Sequence, residues 1–433
     1  MDVVTIETAS LGDRSYLVHD GQVGLVIDPQ RDIDRIMEAA DIAGVDVTHI
    51  AETHVHNDYV SGGLTLACVT GADYVHAADE PVRFDHRGVR DGDRFDVGRL
   101  HVEVRGTPGH TPHHLSYVVT TEGDPPAVFT GGSMLYGTVG RTDLIAPDRT
   151  EQLTREQYRS VHGLADSLPD DAWIHPTHGF GSFCASVSSD GDSDGRLGTE
   201  RRVNIALTAQ ENAFVERLMS SLDAFPRYYA HMGPLNLAGG VAVDLSPAAP
   251  VDPAEVVRRI HRGEWVIDLR PRSSFAAGHV VGSIGIELDD GFSTYLDWLA
   301  PWGMPITLLA DTAEQIEHAQ RQLVRVGIDR PAGGAEGGLE HWGSGCEWRS
   351  YRRVTFADLP VGATVIDVRQ PSEYDERHLG GAINLALHDL LDRLDEVPDG
   401  ELHVHCESGY RASIAASLLD RAGHDVVLVD DEF

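Results

Sequence analysis

Four histidines in three separated motifs suggest that this chain binds a metal ion. His54 and His56 stand two residues apart after an apolar stretch, His110 follows Thr-Pro-Gly, and His178 follows Pro-Thr. Imidazoles that leave a strand end or tight loop in the same direction can share one metal ion. The spacing therefore predicts a metal site. The alternative is that His54 and His56 are simply polar residues of an ordinary loop.

A second reactive position is Cys406, which follows an apolar strand pattern and begins the run Cys406-Glu407-Ser408-Gly409-Tyr410-Arg411. A helical pattern comes next. A cysteine at a strand–loop–helix junction lies among backbone N–H groups at the positive end of the helix, which favours its thiolate form. The pattern predicts a nucleophile rather than a structural cysteine.

The other three cysteines are Cys68, Cys184 and Cys346, which are widely spaced and form no Cys-x-x-Cys pair. Such spacing argues against a disulfide framework. Because free cysteine usually behaves as a small apolar residue, we expect most of these thiols to be buried and inert.

The elements that must position these residues follow from hydrophobic periodicity. Alternating patterns predict strands over residues 3–8, 16–19 and 23–27, followed by an amphipathic helix over 32–43. A long helix is expected over 204–222. The Ser/Asp/Gly stretch 186–198 predicts an exposed, mobile loop, and the proline-bearing stretch 246–253 predicts a linker.

The segment after this linker is duplicated. Val266-Ile267-Asp268-Leu269-Arg270 recurs as Val365-Ile366-Asp367-Val368-Arg369, 99 positions later. Following the repeat onward places Ala310 at the position of Cys406 and Gln315 at that of Arg411. The first copy lacks both thiol and cation, so a structural or docking role is expected for it.

Length and charge set further limits. The 433 residues predict three domains, over 1–250, 251–350 and 351–433. Asp and Glu total 69 against 34 Lys plus Arg, with no lysine, for a net charge of −35. This charge argues against nucleic acid or an anionic membrane as partner. The scattered acid is typical of a halophilic protein, and the absence of a signal-peptide or membrane-spanning pattern predicts a cytoplasmic one.

The first 240 residues or so resemble the metallo-β-lactamase superfamily, in particular its glyoxalase II and persulfide dioxygenase branch. The resemblance is carried by Thr53-His54-Val55-His56, Thr107-Pro108-Gly109-His110-Thr111 and Gly140-Arg141-Thr142-Asp143. Residues 351–433 resemble a rhodanese sulfurtransferase domain through Val365–Arg369, His378–Asn384 and the loop from Cys406. Together these imply an α/β protein in which an αββα sandwich precedes two small α/β rhodanese-like domains.

Two departures from the superfamily pattern bear on the metal. Tyr59 stands where dinuclear members have a second-site histidine, which favours a mononuclear centre. Gly132 stands where the Thr-Gly-Asp motif carries a metal-binding carboxylate. The resemblance then implies mononuclear Fe(II), with Zn(II) as the alternative, held by His54, His56 and His110. Asp58 and His178 would orient these ligands or replace one, and Asp143 is a further replacement carboxylate.

The resemblances imply a fused persulfide dioxygenase and sulfurtransferase. It would oxidise a low-molecular-weight thiol persulfide with O2 to sulfite and carry sulfane sulfur on Cys406. Arg411 would close an anion-binding loop with Glu407, Ser408, Gly409 and Tyr410, and Arg141 would face an anionic substrate or form a salt bridge.

Two alternatives to this function stay open. One is a glyoxalase II-like thioester hydrolase that uses metal-bound hydroxide. The other is a sulfur carrier whose metal domain is not catalytic. Whether the chain forms a homo-oligomer is likewise left open by the sequence.

Overall fold

The computed structural model of the chain describes residues 1–179, 181–186 and 194–433. The chain packs as two compact units. The first comprises Met1–Val243 with Val324–Gly327, and the second comprises Asp244–Leu323 with Ile328–Phe433. The three predicted domain ranges stay predictions.

The first sheet of the first unit has six strands: β1 (Asp2–Thr8), β2 (Asp13–His19), β3 (Val23–Ile27), β4 (Asp46–Ala51), β5 (Asp73–Ala77) and β6 (Arg87–Val89). The strands lie in chain order. The pairs β1–β2 and β2–β3 are antiparallel, whereas β3 to β6 run parallel. Three strands predicted from alternation over residues 3–8, 16–19 and 23–27 correspond to β1, β2 and β3.

The second sheet has five strands: β7 (Arg94–Val97), β8 (Leu100–Gly106), β9 (Leu115–Thr120), β10 (Ala127–Gly131) and β11 (Trp173–Pro176). They lie in the order β11-β10-β9-β8-β7, with β10 and β11 parallel and the remaining pairs antiparallel. The carboxyl ends of β10 and β11 therefore meet at one edge, which places Gly131 next to Pro176.

The helices of this unit are α1 (Asp34–Ala43), α2 (Gly63–Thr70), α3 (Thr150–Ser167), α4 (Leu197–Val203), α5 (Ile205–Thr208), α6 (Glu211–Ser220) and α7 (Tyr229–Ala238), with a 3₁₀ turn at Pro147–Arg149. Apolar residues of both sheets, such as Tyr16 and Phe129, share one buried cluster. Helices α1 and α2 bury Ile36 and Leu66 on the first sheet, and α3 buries Val161 on the second. Because apolar burial drives this packing, the layers stack as the predicted αββα sandwich.

The helix predicted over 32–43 corresponds to α1, but the single helix predicted over 204–222 is wrong. Asn204 is fully buried, and its side-chain amide donates to the carbonyls of Leu135 and Thr138. Its side-chain oxygen accepts from Ala206 N–H and caps α5, and extended backbone at Ala209 then separates α5 from α6. Residues 187–193 of the predicted mobile loop lie outside the described residues, while Ser186 is buried and α4 begins at Leu197.

The second unit contains eleven strands: β12 (Trp265–Asp268), β13 (His279–Val280), β14 (Ile284–Gly285), β15 (Ile306–Leu309), β16 (Gly333–Ala335), β17 (Trp348–Arg349), β18 (Arg352–Val354), β19 (Thr364–Asp367), β20 (Ile383–Asn384), β21 (Glu401–His405) and β22 (Asp425–Val429). Its helices are α8 (Pro253–His261), α9 (Arg272–Ala277), α10 (Phe292–Leu299), α11 (Ala313–Arg325), α12 (Leu339–Trp342), α13 (Pro371–Glu376) and α14 (Tyr410–Ala422), with 3₁₀ turns at Phe356–Asp358 and Leu390–Glu396.

The duplication seen in the sequence is also present in the fold of the second unit. The first copy forms a parallel sheet in the order β14-β12-β15-β16, and the second forms β18-β22-β21-β19-β20. In each copy an Asp at the end of the central strand forms a bidentate ion pair with the Arg two residues later: Asp268 with Arg270, and Asp367 with Arg369. One apolar core runs through both copies.

None of the helices in the described part of the chain is both long enough and apolar enough to cross a membrane.

A buried acid in the first copy makes the stability of the second unit depend on pH. Asp297 on α10 is 4% exposed, and its Oδ2 has no hydrogen-bond partner among the described residues. Burial raises the pKa of Asp297 to about 8. The folded chain therefore holds a proton that the unfolded chain releases above about pH 4, so the stabilisation is complete below that pH and is lost as the pH rises towards 8.

We expect Asp297→Asn to flatten this dependence, because an amide does not ionise. Thermal unfolding followed by circular dichroism between pH 5 and pH 8 at constant salt should show a smaller fall of Tm in the variant than in the wild type. Asp290→Asn, which changes an exposed acid close by, is the matched control. Equal falls in the wild type and in Asp297→Asn would contradict this account.

Candidate functional site

The candidate metal site is organised around a buried carboxylate at the end of β3. Asp28 is fully buried and has φ of 51°, a left-handed conformation that Asp and Asn tolerate better than most residues. Its Oδ1 accepts from the backbone N–H of Thr53 at 2.7 Å, and its Oδ2 accepts from the Thr53 hydroxyl at 2.7 Å. The hydroxyl of Thr177 also donates to Oδ2. Asp28 thus joins the loops that carry His54 and His178.

His54 is oriented through this network. Because the Thr53 hydroxyl donates to Asp28, it accepts from Nδ1–H of His54, 2.8 Å away. The Nε2 of His54 then carries a free lone pair, 3.3 Å from Nε2 of His178. Burial and the neighbouring histidines, His56 first, hold the pKa of His54 well below its usual range. The ring is therefore neutral, as a metal ligand requires.

His56 is held by acids on one side of its ring. Its Nε2 lies 3.3 Å from Asp28 Oδ1, 3.3 Å from Glu52 Oε2 and 2.9 Å from the Tyr59 hydroxyl. Burial alone would lower the pKa of His56, but Asp28 and then Glu52 raise it to about 9. No described residue hydrogen-bonds to the other nitrogen, Nδ1. The acids thus hold the ring through Nε2–H, and a metal at Nδ1 would take the place of the second proton of this ring.

His110 is held through the other ring nitrogen, Nδ1, and not through Nε2 as His56 is. Its Nδ1 donates to the carbonyl of Arg141 at 2.7 Å, and its backbone N–H donates to Oε1 of Gln157 at 2.6 Å. Within the described ranges, its buried Nε2 has no hydrogen-bond partner. Burial lowers the pKa of His110 to about 3, so the ring is neutral.

Gly132, where the resemblance predicts a carboxylate, makes room for the His110 ring. A Cβ built on Gly132 would fall on ring atoms of His110, 2.6 Å from Cγ and 2.7 Å from Nε2. The imidazole thus occupies the volume that a side chain at this position would need.

His178 completes the cluster between two carboxylates. Its Nδ1 lies 3.0 Å from Asp13 Oδ1 and 3.1 Å from Asp58 Oδ2, which leaves Nε2 towards His54. Burial opposes a charge on this ring, but Asp58 and Asp13 raise the pKa of His178 well above its usual range. Burial and the nearby Asp58 raise the pKa of Asp13 to about 8.

All five residues predicted to bind a metal therefore lie together and are fully buried. Donor atoms of His54, His56 and His178 lie within 4.8 Å of one another, as do those of Asp13, Asp58 and His178. The His110 ring centroid lies 4.8 Å from that of His54 and 5.2 Å from that of His178. Each of the four rings turns one nitrogen into the cluster and is held by protein at the other. This donor set fits a metal ion such as Fe(II) or Zn(II).

Arg141 and Asp143 do not lie in this cluster of donor atoms. The Arg141 guanidinium is buried and donates to both oxygens of Asp143, at 2.7 and 2.8 Å. It also donates to the carbonyls of Phe183 and Asp223. The structure therefore shows the salt bridge, not the substrate-facing cation, for Arg141, and it engages Asp143 away from the histidines.

Several residues of the site were not predicted from the sequence. Asp13, Asp28 and Glu52 orient histidines, and the side-chain amide of Asn236 on α7 donates to the carbonyls of His56 and Tyr59 at 2.8 Å each. The sequence signal that could have identified Asp28 is its place as a polar residue directly after an apolar strand, β3.

The candidate reactive thiol lies in the second unit, directly after β21. Cys406 is 1% exposed, and its Sγ accepts from the backbone N–H of Ala412 at 3.4 Å. Gly409 caps α14 at φ of 83°, and a Cβ there would collide with the Asp430 carboxylate. The sulfur thus lies at the start of α14 and accepts from a backbone N–H of that helix.

Side chains of both copies support this loop. Arg411 forms a bidentate ion pair with Glu373, at 2.6 and 2.7 Å. Glu407 is exposed and lies 3.3 Å from Arg369. From the first copy, Glu287 accepts the Tyr410 hydroxyl at its carbonyl, and the Arg272 guanidinium donates to the Ser408 carbonyl. The first copy thus contacts the reactive loop directly.

In the equivalent loop of the first copy, the Gln315 side chain binds the backbone of the loop. Ala310 follows β15 as Cys406 follows β21, and it is fully buried. Gln315 Oε1 accepts from the backbone N–H groups of Asp311 and Thr312, at 2.9 and 3.1 Å. The amide donors that could bind an anion in this loop are therefore used internally.

The remaining cysteines differ from the prediction that most are buried. Cys184 is fully buried, Cys346 is half-buried and Cys68 is exposed on α2. Cys184 is also not surrounded by apolar groups alone, because its sulfur lies within 4.8 Å of donor nitrogens of His110 and His178.

Comparison with known proteins finds relatives for both parts of the chain. A family model described as a rhodanese-like domain matches residues 252–344 and 356–433. The mitochondrial persulfide dioxygenase ETHE1 of Homo sapiens is 30% identical over 241 residues, which cover 54% of this chain and 84% of the human protein. The hydroxyacylglutathione hydrolase of Polaromonas sp. is 31% identical over 38% of this chain and 62% of that protein.

Among solved structures, a metallo-beta-lactamase from Staphylococcus aureus subsp. aureus COL is similar to this chain with a TM-score of 0.69 and 27% identity. The match covers 77% of this chain and 99% of that one. The likeness thus extends beyond the sandwich and into the second unit.

We expect Asp28→Asn to weaken metal binding by about 10- to 100-fold, because the histidines lose the carboxylate that orients them. Asparagine tolerates positive φ, so the backbone at this position is retained. Competition titration with Zn(II) or Co(II) measures the Kd.

Asp148→Asn removes an exposed carboxylate with the same change of charge and serves as the control. An unchanged Kd in a folded Asp28→Asn protein would refute the role given to Asp28.

Proposed function

This chain belongs to the persulfide dioxygenase family. We propose that it oxidises a low-molecular-weight thiol persulfide with O2 to sulfite at one metal ion. We also propose that it carries sulfane sulfur on Cys406. The observation that carries the first activity is the set of four buried imidazoles, each with one nitrogen turned inward and the other held by protein. His54, His56 and His110 are the proposed ligands, with His178 and Asp58 beside them.

The metal, which we propose to be Fe(II), would supply a positively charged, redox-active centre for O2 and a persulfide anion. The protein supplies orientation and exclusion of water. Asp28 and Glu52 hold His56. The residue at position 59 is a tyrosine, whose hydroxyl lies against His56 Nε2, so this position has no imidazole for a second metal. This supports a mononuclear centre.

Helix α7 covers the histidine-bearing loop. Asn236 on this helix donates to two carbonyls of the loop, and the hydroxyl of the preceding Tyr228 donates to the carbonyl of Asp58. Tyr229 and Met232 pack with Tyr59 in one apolar cluster. This cover excludes bulk water from the chemistry, which limits hydrolysis of reactive sulfur species.

The second proposed activity is sulfur transfer at Cys406. The thiolate attacks the outer sulfur of a donor such as thiosulfate, so that one S–S bond forms on Cys406 and the S–S bond of the donor breaks with release of sulfite. A thiolate acceptor then takes the outer sulfur and returns Cys406 to its thiolate form. The backbone N–H of Ala412, at the start of α14, would stabilise the negative sulfur in both states.

The second candidate function is a metal-dependent thioester hydrolase, which the likeness to a hydroxyacylglutathione hydrolase favours. Tyr59 and Gly132 argue against the hydrolase function, because they replace two ligands that a dinuclear hydrolase would use. A sulfur carrier with no chemistry at the histidines is the third candidate.

Persulfide-dependent O2 uptake separates these functions. The full chain, purified without oxygen and loaded with Fe(II), should consume O2 when glutathione persulfide is added and release sulfite. His110→Ala should reduce uptake by more than about 100-fold, because a ligand is lost. His101→Ala, which removes an exposed histidine, should keep the wild-type rate.

Hydrolysis of S-lactoylglutathione by the zinc form, without O2 uptake by the iron form, would instead establish the hydrolase. If the protein shows neither reaction, only the carrier function remains.

We expect Cys406→Ser to abolish transfer of sulfur from thiosulfate to cyanide and to leave Fe(II)-dependent O2 uptake within about twofold of the wild type. The reason is that the hydroxyl is a far weaker nucleophile than the thiolate, whereas the histidine cluster does not contain Cys406. Cys68→Ser is the control, since Cys68 is exposed and belongs to neither site. Undiminished sulfur transfer in Cys406→Ser would refute the role of this thiol.

A further inference from the structure

The loss of a carboxylate at Gly132 leaves the proposed ligands His54, His56 and His110 without a charged donor among them. The space at Gly132 cannot be refilled easily, because the His110 ring lies where a Cβ would be. A divalent ion in a buried site is stabilised by an anionic ligand, since an uncompensated charge is costly away from water. Besides Asp13 and Asp58, which hold His178, the structure offers one further donor close by that becomes anionic on losing its proton.

That donor is the thiol of Cys184, which is fully buried. Its sulfur and donor nitrogens of His110 and His178 all lie within 4.8 Å of one another. The thiol makes a long contact of 3.7 Å with the Tyr229 hydroxyl. The Nε2 of His110 is an independent sign that a metal ion binds here, because this donor atom is buried and has no hydrogen-bond partner in the described structure.

The backbone of one residue, Arg141, contacts both donor residues. The backbone N–H of Arg141 donates to the carbonyl of Cys184 at 2.9 Å, and the carbonyl of Arg141 accepts from Nδ1 of His110 at 2.7 Å. The Ser182 hydroxyl accepts the N–H of Cys184 at 3.2 Å. Both ends of Arg141 are thus used: its side chain anchors the loop through Asp143, and its backbone sets His110 beside Cys184.

We propose that Cys184 is the anionic ligand of the same metal ion, binding through Sγ beside His110 and His178 and replacing the carboxylate absent at Gly132. This inference rests on the proposed function only in requiring a metal among the histidines. On binding, the S–H bond breaks, the sulfur–metal bond forms and one proton is released, as thiol ligands require. Thiolate is a common ligand of both zinc and iron.

Cobalt(II) alone is the probe, because a thiolate on Co(II) gives an intense charge-transfer band in the near ultraviolet that imidazole and carboxylate ligands do not give. The full chain with Cys68→Ser, Cys346→Ser and Cys406→Ser keeps Cys184 as its single thiol. We expect this variant to bind Co(II) and to show the band. Adding Cys184→Ser should remove the band and weaken Co(II) binding by about 10- to 100-fold.

Cys184→Asp in the same background tests the requirement for negative charge. It should recover most of the affinity without the band. Co(II) bound by the single-thiol variant without the band would overturn the role of Cys184 while leaving the histidine site in place. Failure of this variant and of the wild type to bind Co(II) at all would overturn both this inference and the proposed function.

Discussion

The buried carboxylate of Asp28 is the interaction on which the candidate metal site depends. It accepts hydrogen bonds from Thr53 and Thr177 and forms the ion pair with His56. One side chain at the end of β3 therefore binds two segments that are distant from each other in sequence. Although burial works against ionisation, the pKa of Asp28 is held low, chiefly by His56. A buried charge is tolerated only when it is paired and hydrogen-bonded, so these contacts and the left-handed backbone at Asp28 stabilise one another.

The same principle repeats around the other rings. Asp13 and Asp58 hold His178, and the Arg141 carbonyl holds His110. The Thr53 hydroxyl, which donates to Asp28, accepts from His54. Each histidine is thus fixed through one nitrogen and offers the other. A cluster of this kind is preorganised, because the protein has already oriented the donors before a ligand arrives. The reactive loop of Cys406 follows a related principle, with the backbone N–H of Ala412 and a bidentate Arg411–Glu373 pair in place of buried acids.

Local patterns in the sequence predicted the first three strands, helix α1, the histidine motifs, the duplicated domain and the loop at Cys406, because each of these depends on neighbours in the chain. The partners of the histidines could not be predicted in this way. Asp13 lies 165 residues from His178, so only the folded sheets bring them together. The break after Asn204 has the same origin, since Leu135 and Thr138 lie far from it in sequence. The Arg141 guanidinium likewise donates to the distant carbonyls of Phe183 and Asp223, in addition to its neighbour Asp143. Cys184 is the clearest case, because the sequence shows it only as an isolated cysteine.

The central claim is that one metal ion sits among the inward nitrogens of the histidine cluster. Anomalous diffraction from crystals of the full chain loaded with Fe(II), recorded on both sides of the iron absorption edge, tests it directly. We expect a single peak per chain, within bonding distance of His54 Nε2, His56 Nδ1 and His110 Nε2. Two peaks near the histidines, or a peak elsewhere with none among them, would contradict it.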